Sequence, residues 1–393
     1  MTRGKHPTHQ QHSLHQFGHT VCNRARLSLR VTPAGAWGIM PLPERGSADR
    51  GRTRTRRSAK RLQPGRKGSG LADFPGRCLV TGAAGFIGSH LSEALLQRGA
   101  EVVGVDAFTS YYPRKIKEAN LADLRDSPHF QLAELDLASD RLDGLLDGVD
   151  RVFHLAGQPG VRKSWGQSFE TYLRDNVLAT QRLLEAARGA RIRKLVYASS
   201  SSVYGNTPDL PMRETSRPQP VSPYGVTKLA GEHLCVLYHA SFGVPTIALR
   251  YFTVFGPRQR PDMAFHRFGR LALEGKPLQV YGDGEQTREF TYVSDIVEAS
   301  LLAADVAASG IVLNVGGGAR LTVNAVVRLL GEITRRQIQV EHHGRQPGDI
   351  EHTLADLSRA AEVLRFRPRV SIEEGLAAEL EWLERSLSRG TLA

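Results

Sequence analysis

The chain has 393 residues, of which 40% are apolar and 23% charged, a composition typical of globular proteins that allows one large domain or two smaller ones. Its net charge of +12 lies at one end, because residues 1–75 hold 15 Lys and Arg against 3 acids whereas residues 76–393 hold 37 of each. A basic surface is therefore confined to that end, and we expect no nucleic-acid partner.

Apolar runs and cysteines bear on the location of the protein. No apolar stretch reaches the roughly 18 residues that span a bilayer, and no N-terminal segment resembles a secretory signal, so we expect no membrane partner. Cys22, Cys78 and Cys235 lie far apart without metal-ligand spacing, which fits a reducing compartment. We therefore predict a cytoplasmic protein without a metal site.

Residues 1–75 are rich in Gly, Pro, Ser, His and Arg and lack apolar periodicity. Such a segment buries too little surface to offset its chain entropy, so we expect a disordered basic tail. Two alternatives stay open: an Arg-rich transit peptide, or an extended reading frame whose true start lies later, for example at Met40. Histidines recur between residues 6 and 19, but without an ordered fold around them we expect no physiological metal site.

From Arg77 onward, short β-branched runs alternate with helical patterns. The predicted strands cover residues 78–81, 101–105, 151–155, 194–198 and 246–250. Each precedes a polar or Gly-containing turn and a helix, and this alternation predicts an α/β fold with a Rossmann-type, doubly wound parallel sheet. After about residue 255 the alternation loosens and Pro, Gly and Arg become frequent, which indicates a smaller part facing a substrate.

The first predicted turn carries a glycine motif, residues 82–88, which follows a strand and opens a helix. Gly82 permits a tight turn, Gly85 lets the backbone approach a pyrophosphate, and Gly88 lets the helix pack closely on the strand. The helix N-terminus then faces the anion. Asp106 ends the second strand, where its carboxylate accepts hydrogen bonds from the adenosine ribose and repels a 2′-phosphate. The motif predicts a bound dinucleotide, NAD rather than NADP.

Tyr224 and Lys228 are four residues apart in a helical pattern, so both project from one face. A tyrosine with an ordinary pKa of about 10 is a poor base at neutral pH, but a neighbouring ammonium and the positive nicotinamide ring favour the phenolate. Tyr224 can then remove a hydroxyl proton from a substrate. Residues 199–202 are four serines after a predicted strand, and Ser200 is expected to share that proton.

In this chain order, the motifs resemble those of the extended short-chain dehydrogenase/reductase family of nucleotide-sugar epimerases and dehydratases. The resemblance covers about residues 76–380. It implies a catalytic triad of Ser200, Tyr224 and Lys228, NAD as the cofactor, a UDP-sugar as the substrate and a homodimer as the assembly.

The resemblance also assigns residues to the two ligands. Those implied to bind the cofactor are Gly82, Gly85, Phe86, Ile87, Gly88, Asp106, Asp136, Leu137, Leu155, Ala156, Gly157, Asn176, Tyr224, Lys228, Tyr251 and Val254. Those implied to bind the substrate are Arg162, Ser200, Ser201, Ser202, Thr253, Arg260, Val280, Arg288 and Arg345. An arginine fork matches phosphate oxygens, although on sequence alone Arg288 and Arg345 can equally be surface charges.

Three parts of the chain follow from these expectations. Residues 1–75 form the disordered basic tail, and residues 76–255 form the NAD-binding Rossmann domain. Residues 256–393 form a mainly nucleotide-sugar-binding part that is interwoven with the first domain.

The implied reaction is a transient oxidation of the sugar. A hydride leaves C4 for NAD as Tyr224 takes the hydroxyl proton, the 4-keto sugar turns about its link to the diphosphate, and the hydride returns to the other face. Inversion therefore needs a tightly held nucleotide and a loosely held sugar.

The residues after the catalytic serine favour epimerisation over other chemistry. Dehydratases of the family resemble one another in carrying an Asp-Glu pair there, and decarboxylases carry a glutamate. Here the positions are Ser201 and Ser202, whose hydroxyls cannot do that acid–base work near neutral pH. A nucleotide-sugar 4,6-dehydratase is therefore the less favoured alternative.

Residues 106–121, 158–162 and 253–264 resemble segments of UDP-glucuronate 4-epimerases, and Thr253 takes the place of the asparagine usual in UDP-glucose 4-epimerases. A C6 carboxylate requires hydroxyls and a cation, which the serines, Thr253 and Arg260 can supply. UDP-glucuronic acid, giving UDP-galacturonic acid, is the predicted substrate. UDP-glucose and UDP-N-acetylglucosamine remain alternatives.

One departure from the resemblance concerns the loop after the third predicted strand. Gly157 and Pro159 stand where the family more often shows Ala-Gln-Ala. The change would loosen the loop that bears Arg162.

Two readings from other classes have distinct requirements. A nucleic-acid-binding protein would depend on residues 1–75 for its activity. An NADP-binding regulatory protein without catalysis would retain the glycines but lack Tyr224 and Lys228, which are present.

Overall fold

The computed structural model describes residues 73–392. Most of the predicted basic tail lies outside the described residues, as do Met40, the histidines between residues 6 and 19, and Cys22. Within residues 73–392, no helix is long and apolar enough to cross a bilayer.

The strands are short, with two to seven residues each. They are β1 (Arg77–Thr81), β2 (Glu101–Asp106), β3 (Phe130–Glu134), β4 (Arg151–His154), β5 (Lys194–Ser200), β6 (Thr246–Tyr251), β7 (Val254–Phe255), β8 (Leu278–Tyr281), β9 (Thr287–Glu289), β10 (Thr291–Tyr292), β11 (Ile311–Val315), β12 (Arg320–Thr322) and β13 (Val340–His343). All of their pairs are parallel except that of β9 with β12. Seven of the strands form one parallel sheet in the order β3-β2-β1-β4-β5-β6-β11. This order confirms the predicted Rossmann-type α/β class.

The helices connect these strands. They are α1 (Phe86–Leu96), α2 (Arg114–Asn120), α3 (Ala122–Arg125), α4 (Phe169–Tyr172), α5 (Ala179–Arg188), α6 (Pro223–Phe242), α7 (Ala264–Glu274), α8 (Val293–Asp305), α9 (Val323–Thr334), α10 (Ser358–Leu364) and α11 (Ile372–Ser388). A π-helical turn, Leu173–Leu178, joins α4 to α5 without a break. The predicted first helix is confirmed, and Gly99 follows its end with φ +81°.

The sheet separates two apolar cores because successive side chains of a strand point to opposite faces. On β1, Val80 belongs to the core that includes Leu91 and Ile296, whereas Leu79 belongs to the core that includes Leu183. Each such buried side chain contributes about 1.5–3 kcal/mol relative to an exposed one. With both faces covered, ligands have access at the ends of the strands.

The folded part includes Phe74, which lies within the predicted tail. Its ring is buried against the ring of Phe153, and the Arg151 guanidinium lies 4.2 Å from its centroid. Apolar burial and this cation–π contact account for the order at Phe74.

The strand order reverses at β1, which has β2 on one side and β4 on the other. In open parallel sheets, a crevice forms outside the carboxyl ends of the strands at such a point. The C-terminal third of the chain adds a third apolar core, which includes Phe265, Leu278, Leu330 and Leu376. It also returns β11 to the edge of the main sheet.

Candidate active site

The turn between β1 and α1 is closed by glycines. Gly82 has φ +71°, and the Gly85 N–H donates to the Gly82 carbonyl oxygen at 3.0 Å. A Cβ on Gly88 would lie 2.1 Å from that oxygen, and a Cβ on Gly82 would lie 2.9 Å from the Ala156 nitrogen. There is thus no room for a side chain at Gly82 or Gly88. Without side chains at these positions, the backbone N–H groups at the N-terminus of α1 face the crevice, as a pyrophosphate site requires.

Asp106 ends β2 and is buried, but the protein already engages its carboxylate. One oxygen accepts from the Ala84 N–H at 3.1 Å, and the other accepts from the Phe108 N–H at 2.8 Å and from the Lys117 ammonium at 3.2 Å. Sequence reasoning missed Lys117, whose only signal was a lysine in a short helical pattern after the second strand. This ammonium weakens the repulsion that Asp106 alone would exert on a 2′-phosphate.

A first cavity follows the carboxyl ends of the central strands. The predicted cofactor residues in its wall are Gly82, Gly85, Phe86, Ile87, Gly88, Asp106, Asp136, Leu137, Leu155, Ala156, Gly157, Tyr224, Lys228 and Tyr251. The backbone cradle, the acidic strand end and the apolar wall fit an NAD molecule. In the part of the chain that the structure describes, no group of three or more His, Cys, Asp or Glu side chains is placed to hold a metal ion.

Two predicted cofactor residues lie elsewhere. Val254 lines a second cavity, and Asn176 lies in the π-helical turn behind the wall of the first. The Asn176 side-chain oxygen accepts from the Gln158 N–H at 2.6 Å, and its amide group donates to the Gln158 carbonyl and the Thr227 hydroxyl, both at 3.0 Å. Asn176 therefore links α6 to the loop that follows β4.

That loop is more constrained than the sequence departure suggested. The Tyr172 hydroxyl donates to the carbonyl oxygens of both Pro159 and Gly160 at 2.8 Å. A Cβ on Gly157 would lie 2.7 Å from the Asn176 Oδ1. The glycine thus permits a close approach to Asn176, and these contacts fix the position of the loop in this structure; the predicted loosening stays a prediction.

Tyr224 and Lys228 lie in the first two turns of α6 and line the first cavity together. The Ser222 hydroxyl caps this helix by accepting from the Gly225 N–H at 3.1 Å, with a proline at the first helical position. Both features fix where α6 begins. The Lys228 ammonium donates to the Ala198 carbonyl oxygen at 2.8 Å, so it is held at the end of β5.

Burial acts on both groups. It raises the pKa of Tyr224, which the Ser200 hydroxyl and the Arg260 guanidinium lower in part. It lowers the pKa of Lys228 to about 8, and the carboxylate of Glu232 opposes part of this fall. The predicted shift of Tyr224 toward phenolate therefore requires the positive nicotinamide ring in addition to the protein's own groups.

The second cavity adjoins the first, and both include Tyr224, Tyr251 and Arg260 in their walls. The predicted substrate residues that line it are Arg162, Ser200, Ser201, Ser202, Thr253, Arg260, Val280 and Arg288. The Ser200 hydroxyl oxygen accepts from the Ser202 N–H and lies 3.1 Å from the Ser202 hydroxyl. A row of hydroxyls therefore stands beside Tyr224.

Arg260 has a protein partner that sequence reasoning missed. Its guanidinium donates twice to the Asp262 carboxylate, at 3.0 Å each, and the Tyr111 hydroxyl donates to the same carboxylate at 3.1 Å. Only the short spacing between Arg260 and Asp262 signalled this pair. The cation expected for a C6 carboxylate is thus partly neutralised.

Two further arginines face the second cavity. Arg162 donates to Asp349 at 3.2 and 2.8 Å, and its guanidinium lies 4.2 Å from the ring centroid of Tyr281. Arg288 donates to the Thr287 carbonyl at 3.0 Å, and burial lowers its pKa. Both cations are placed where an anion can bind.

Arg345 is the predicted substrate residue that the structure does not bring to either cavity wall. Its side chain is 66% exposed and pairs with Glu351 at 2.7 Å and with Asp283 at 3.6 Å. Asp349, from the same segment, reaches the second cavity instead.

Two adjoining cavities that meet at the half-buried Tyr224 are the arrangement expected of an enzyme that binds a dinucleotide against its substrate. The model of the NAD dependent epimerase/dehydratase family matches residues 78–316, and the chain belongs to this family. The predicted family is therefore confirmed, with NAD as its cofactor.

Among similar proteins, one from Bacillus subtilis (strain 168) is named "Uncharacterized UDP-glucose epimerase YtcB"; it is 45% identical, and the match covers 80% of this chain and 99% of the relative. A UDP-glucuronate 4-epimerase of Thermodesulfobacterium geofontis is 35% identical over 79% of this chain and 97% of its own. The crystal structure of UDP-glucuronic acid 4-epimerase from Bacillus cereus, in complex with UDP-glucuronic acid and NAD, is 43% identical with a TM-score of 0.77, covering 79% of this chain and 99% of that one.

Proposed function

We propose that this protein epimerises UDP-glucuronic acid at C4, giving UDP-galacturonic acid, with NAD as its bound cofactor. The observation that carries the proposal is the row of hydroxyls at residues 200–202, which faces the second cavity beside Tyr224 together with Thr253 and Arg260. A sugar carboxylate requires such donors. The relatives from Thermodesulfobacterium geofontis and Bacillus cereus support the same substrate.

The chain supplies the proton chemistry of this reaction. NAD, when bound, supplies reversible hydride transfer at C4 of the sugar. Tyr224 takes the C4 hydroxyl proton and later returns it, and the Ser200 hydroxyl shares it. The Lys228 ammonium stabilises the phenolate, because a nearby opposite charge favours the ionised form.

The same site disfavours elimination of water. A 4,6-dehydratase needs an acid and a base beside the catalytic hydroxyl residue, and those positions are Ser201 and Ser202 here. Their hydroxyls bind a substrate without exchanging protons near neutral pH.

Inversion requires the nucleotide to stay in place while the sugar turns. Arg162 and Arg288 hold the diphosphate in this proposal, since the guanidinium fork matches phosphate oxygens. Arg345 joins them only if it exchanges Glu351, its partner at 2.7 Å, for the nucleotide.

UDP-glucose is the second candidate substrate, and the Arg260–Asp262 pair favours it. A guanidinium already bound at 3.0 Å to a carboxylate attracts a second carboxylate less strongly. The Bacillus subtilis relative carries UDP-glucose in its name.

Kinetics with three sugars tests the proposal. The values of kcat/KM are measured for UDP-glucuronate, UDP-glucose and UDP-N-acetylglucosamine with one NAD-loaded preparation, because this ratio reports transition-state stabilisation. We expect UDP-glucuronate to have the largest value. A larger value for either neutral sugar would replace the acid as the substrate and leave a UDP-sugar epimerase.

We also propose that the protein is a cytoplasmic homodimer. Exposed apolar side chains lie on α6 and on the adjacent π-helical turn: Leu173, Leu178, Val226, Leu237 and Phe242. Val226 and Leu237 are eleven residues apart, which three helical turns bring onto one face. A second copy would cover this apolar surface.

Sedimentation of the wild type and of Leu237→Asp tests the assembly. We expect a dimer for the wild type and a monomer for the variant, because burying the new charge at the interface is costly. A wild type that sediments as a monomer at micromolar concentration would contradict the homodimer.

A further inference from the structure

We propose that Glu232 is a positioning residue, which holds α6 against the end of β5 so that Ser200, Tyr224 and Lys228 face one point. The proposal rests on the proposed function, which assigns those three residues to proton transfer. Glu232 itself lines neither cavity, so it acts through its neighbours.

The last residues of β5 meet α6 at successive positions. The Ala198 carbonyl accepts from the Lys228 ammonium at 2.8 Å, and the Ser199 hydroxyl donates to the Glu232 carboxylate at 2.5 Å. The hydroxyl of Ser200, the next residue of the strand, lowers the pKa of Tyr224 in part, against the rise that burial causes. Since residues four apart share a helix face, one face of α6 presents all three partners to the strand.

Glu232 is in turn fixed from the next strand, β6. Arg250 donates to its two carboxylate oxygens at 2.9 and 2.8 Å, and the two side chains are 4% and 3% exposed. The Arg250 guanidinium lies 4.6 Å from the ring centroid of Tyr204, whose hydroxyl donates to Asn314 at 2.7 Å. The network therefore joins α6 to three adjacent strands.

Stability alone does not explain such a network. Replacing a buried ion pair by well-packed apolar residues is often neutral or stabilising, whereas removing one partner is strongly destabilising. A doubly hydrogen-bonded carboxylate does, however, define one orientation between helix and strands. Here that orientation sets the position of Lys228 relative to Ser200.

The Glu232 charge also acts on Lys228. The titratable groups around the ammonium are Tyr224 on the cavity side and His154, Tyr197, Cys235 and Glu232 on the buried side; Tyr224 is neutral without the cofactor because burial raises its pKa. Burial lowers the pKa of His154 to about 3 and raises the pKa of the Cys235 thiol, so both are neutral at working pH. Tyr197 is likewise neutral because burial raises its pKa. Glu232 is thus the anion that opposes the loss of the Lys228 charge on burial.

The test is Glu232→Gln in the full-length, NAD-loaded protein, because glutamine keeps an oxygen acceptor for Ser199 and removes the charge. The pKa of Lys228 is read from the ¹³Cε signal in protein labelled at its nine lysines, with Lys228→Met giving the assignment. We expect that pKa to fall by about one unit, as loss of a nearby opposite charge predicts. The alkaline limb of the kcat profile should move with it, while KM changes less than about twofold.

Asp305→Asn is the matched control. It leaves Arg151, whose side chain is 9% exposed and pairs with Asp305 at 2.6 Å, without its carboxylate at the amino end of the sheet. We expect a smaller loss of thermal stability, because the Asp305 side chain is 46% exposed, with no change in the pKa of Lys228 or the kcat profile. The proposal would be overturned if the pKa of Lys228 changed equally in both variants, or if it were unchanged in Glu232→Gln.

Ser199→Ala covers the case in which Glu232→Gln does not fold, since it removes one hydroxyl and no charge. We expect kcat to fall at least about threefold with KM unchanged, as loss of one hydrogen bond predicts. Unchanged kcat would overturn the proposal. The NMR titration of Lys228 requires no turnover. A result in which UDP-glucuronate is not the substrate is therefore distinguishable from a result that overturns the role of Glu232.

Discussion

Burial raises the pKa of Tyr224, so the phenol is a weaker acid in the protein alone than in water, and less of the phenolate that acts as the base is present at neutral pH. Its function as a base depends on cations brought close to it, namely Lys228 and the nicotinamide ring. The four-residue spacing in the sequence predicted that Tyr224 and Lys228 act together. The shifts in their pKa values depend on the burial of the first two turns of α6, which the spacing does not reveal.

Tyr224→Phe should reduce turnover at least about a hundredfold, because it removes a positioned general base. UDP-sugar affinity, measured by calorimetry, should remain close to that of the wild type. Tyr238→Phe is the control, since the Tyr238 hydroxyl interacts with Gln181 at 3.0 Å and with Glu185, away from both cavities. Near-normal turnover of Tyr224→Phe would place the proton elsewhere.

Asp106 and Lys117 together determine the choice between NAD and NADP. Asp106→Ser should narrow the preference for NAD over NADP, because it removes a carboxylate that repels the 2′-phosphate and releases the Lys117 ammonium, which Asp106 holds at 3.2 Å. Adding Lys117→Met should remove the NADP affinity gained, since no cation is then left for the 2′-phosphate. Dissociation constants for both cofactors measure this, and equal NAD and NADP affinity in the wild type would contradict it.

Arg260 should discriminate for the substrate carboxylate. Arg260→Ala should weaken kcat/KM for UDP-glucuronate by about 1.5–3 kcal/mol, the scale of one hydrogen bond to a charged group, and change UDP-glucose much less. Asp262→Asn should act in the opposite direction for the acid, because it frees the guanidinium from its partner. If kcat/KM falls equally for both sugars in Arg260→Ala, Arg260 binds the diphosphate or stabilises the fold instead of recognising the carboxylate.

At the scale of elements, the five strands predicted from β-branched runs are confirmed to within two residues, while the other two strands of the main sheet, β3 and β11, were missed, as were the short strands outside it. β3 lies at the sheet edge, where the exposed polar residues Gln131 and Glu134 interrupt the apolar pattern. β11 follows the irregular C-terminal region, and nothing local shows that it returns to the sheet. Local pattern predicts an element, but tertiary pairing decides its place.

The turn that opens α1 provides the element-scale prediction. Gly88→Ala should lower NAD affinity at least about tenfold, because its Cβ meets the backbone of Gly82 and displaces the helix N-terminus. Gly189→Ala is the control, with φ −94° and no atom within 4 Å of an added Cβ. NAD content after purification measures both, and equal content would contradict the close packing of α1.

At the scale of the molecule, the site combines residues that are distant in sequence. Arg162 and Asp349 pair across 187 positions, and no pattern along the chain predicted that contact. The motifs predicted many residues that line the first cavity, because these residues lie at or just after strand ends. The partners of the substrate arginines were not predictable, since they depend on how the C-terminal third packs. The proposed boundary at residue 255 stays a prediction, although β11 joins both halves through the main sheet.

The most direct test of the account is ¹H NMR of UDP-glucuronate incubated with the NAD-loaded protein in deuterated water. Transient oxidation at C4 with return of the same hydride predicts that UDP-galacturonate accumulates and keeps a proton at C4. Deuterium at C4 of the product would contradict the hydride mechanism. Absence of UDP-galacturonate in a preparation that epimerises UDP-glucose would contradict the substrate.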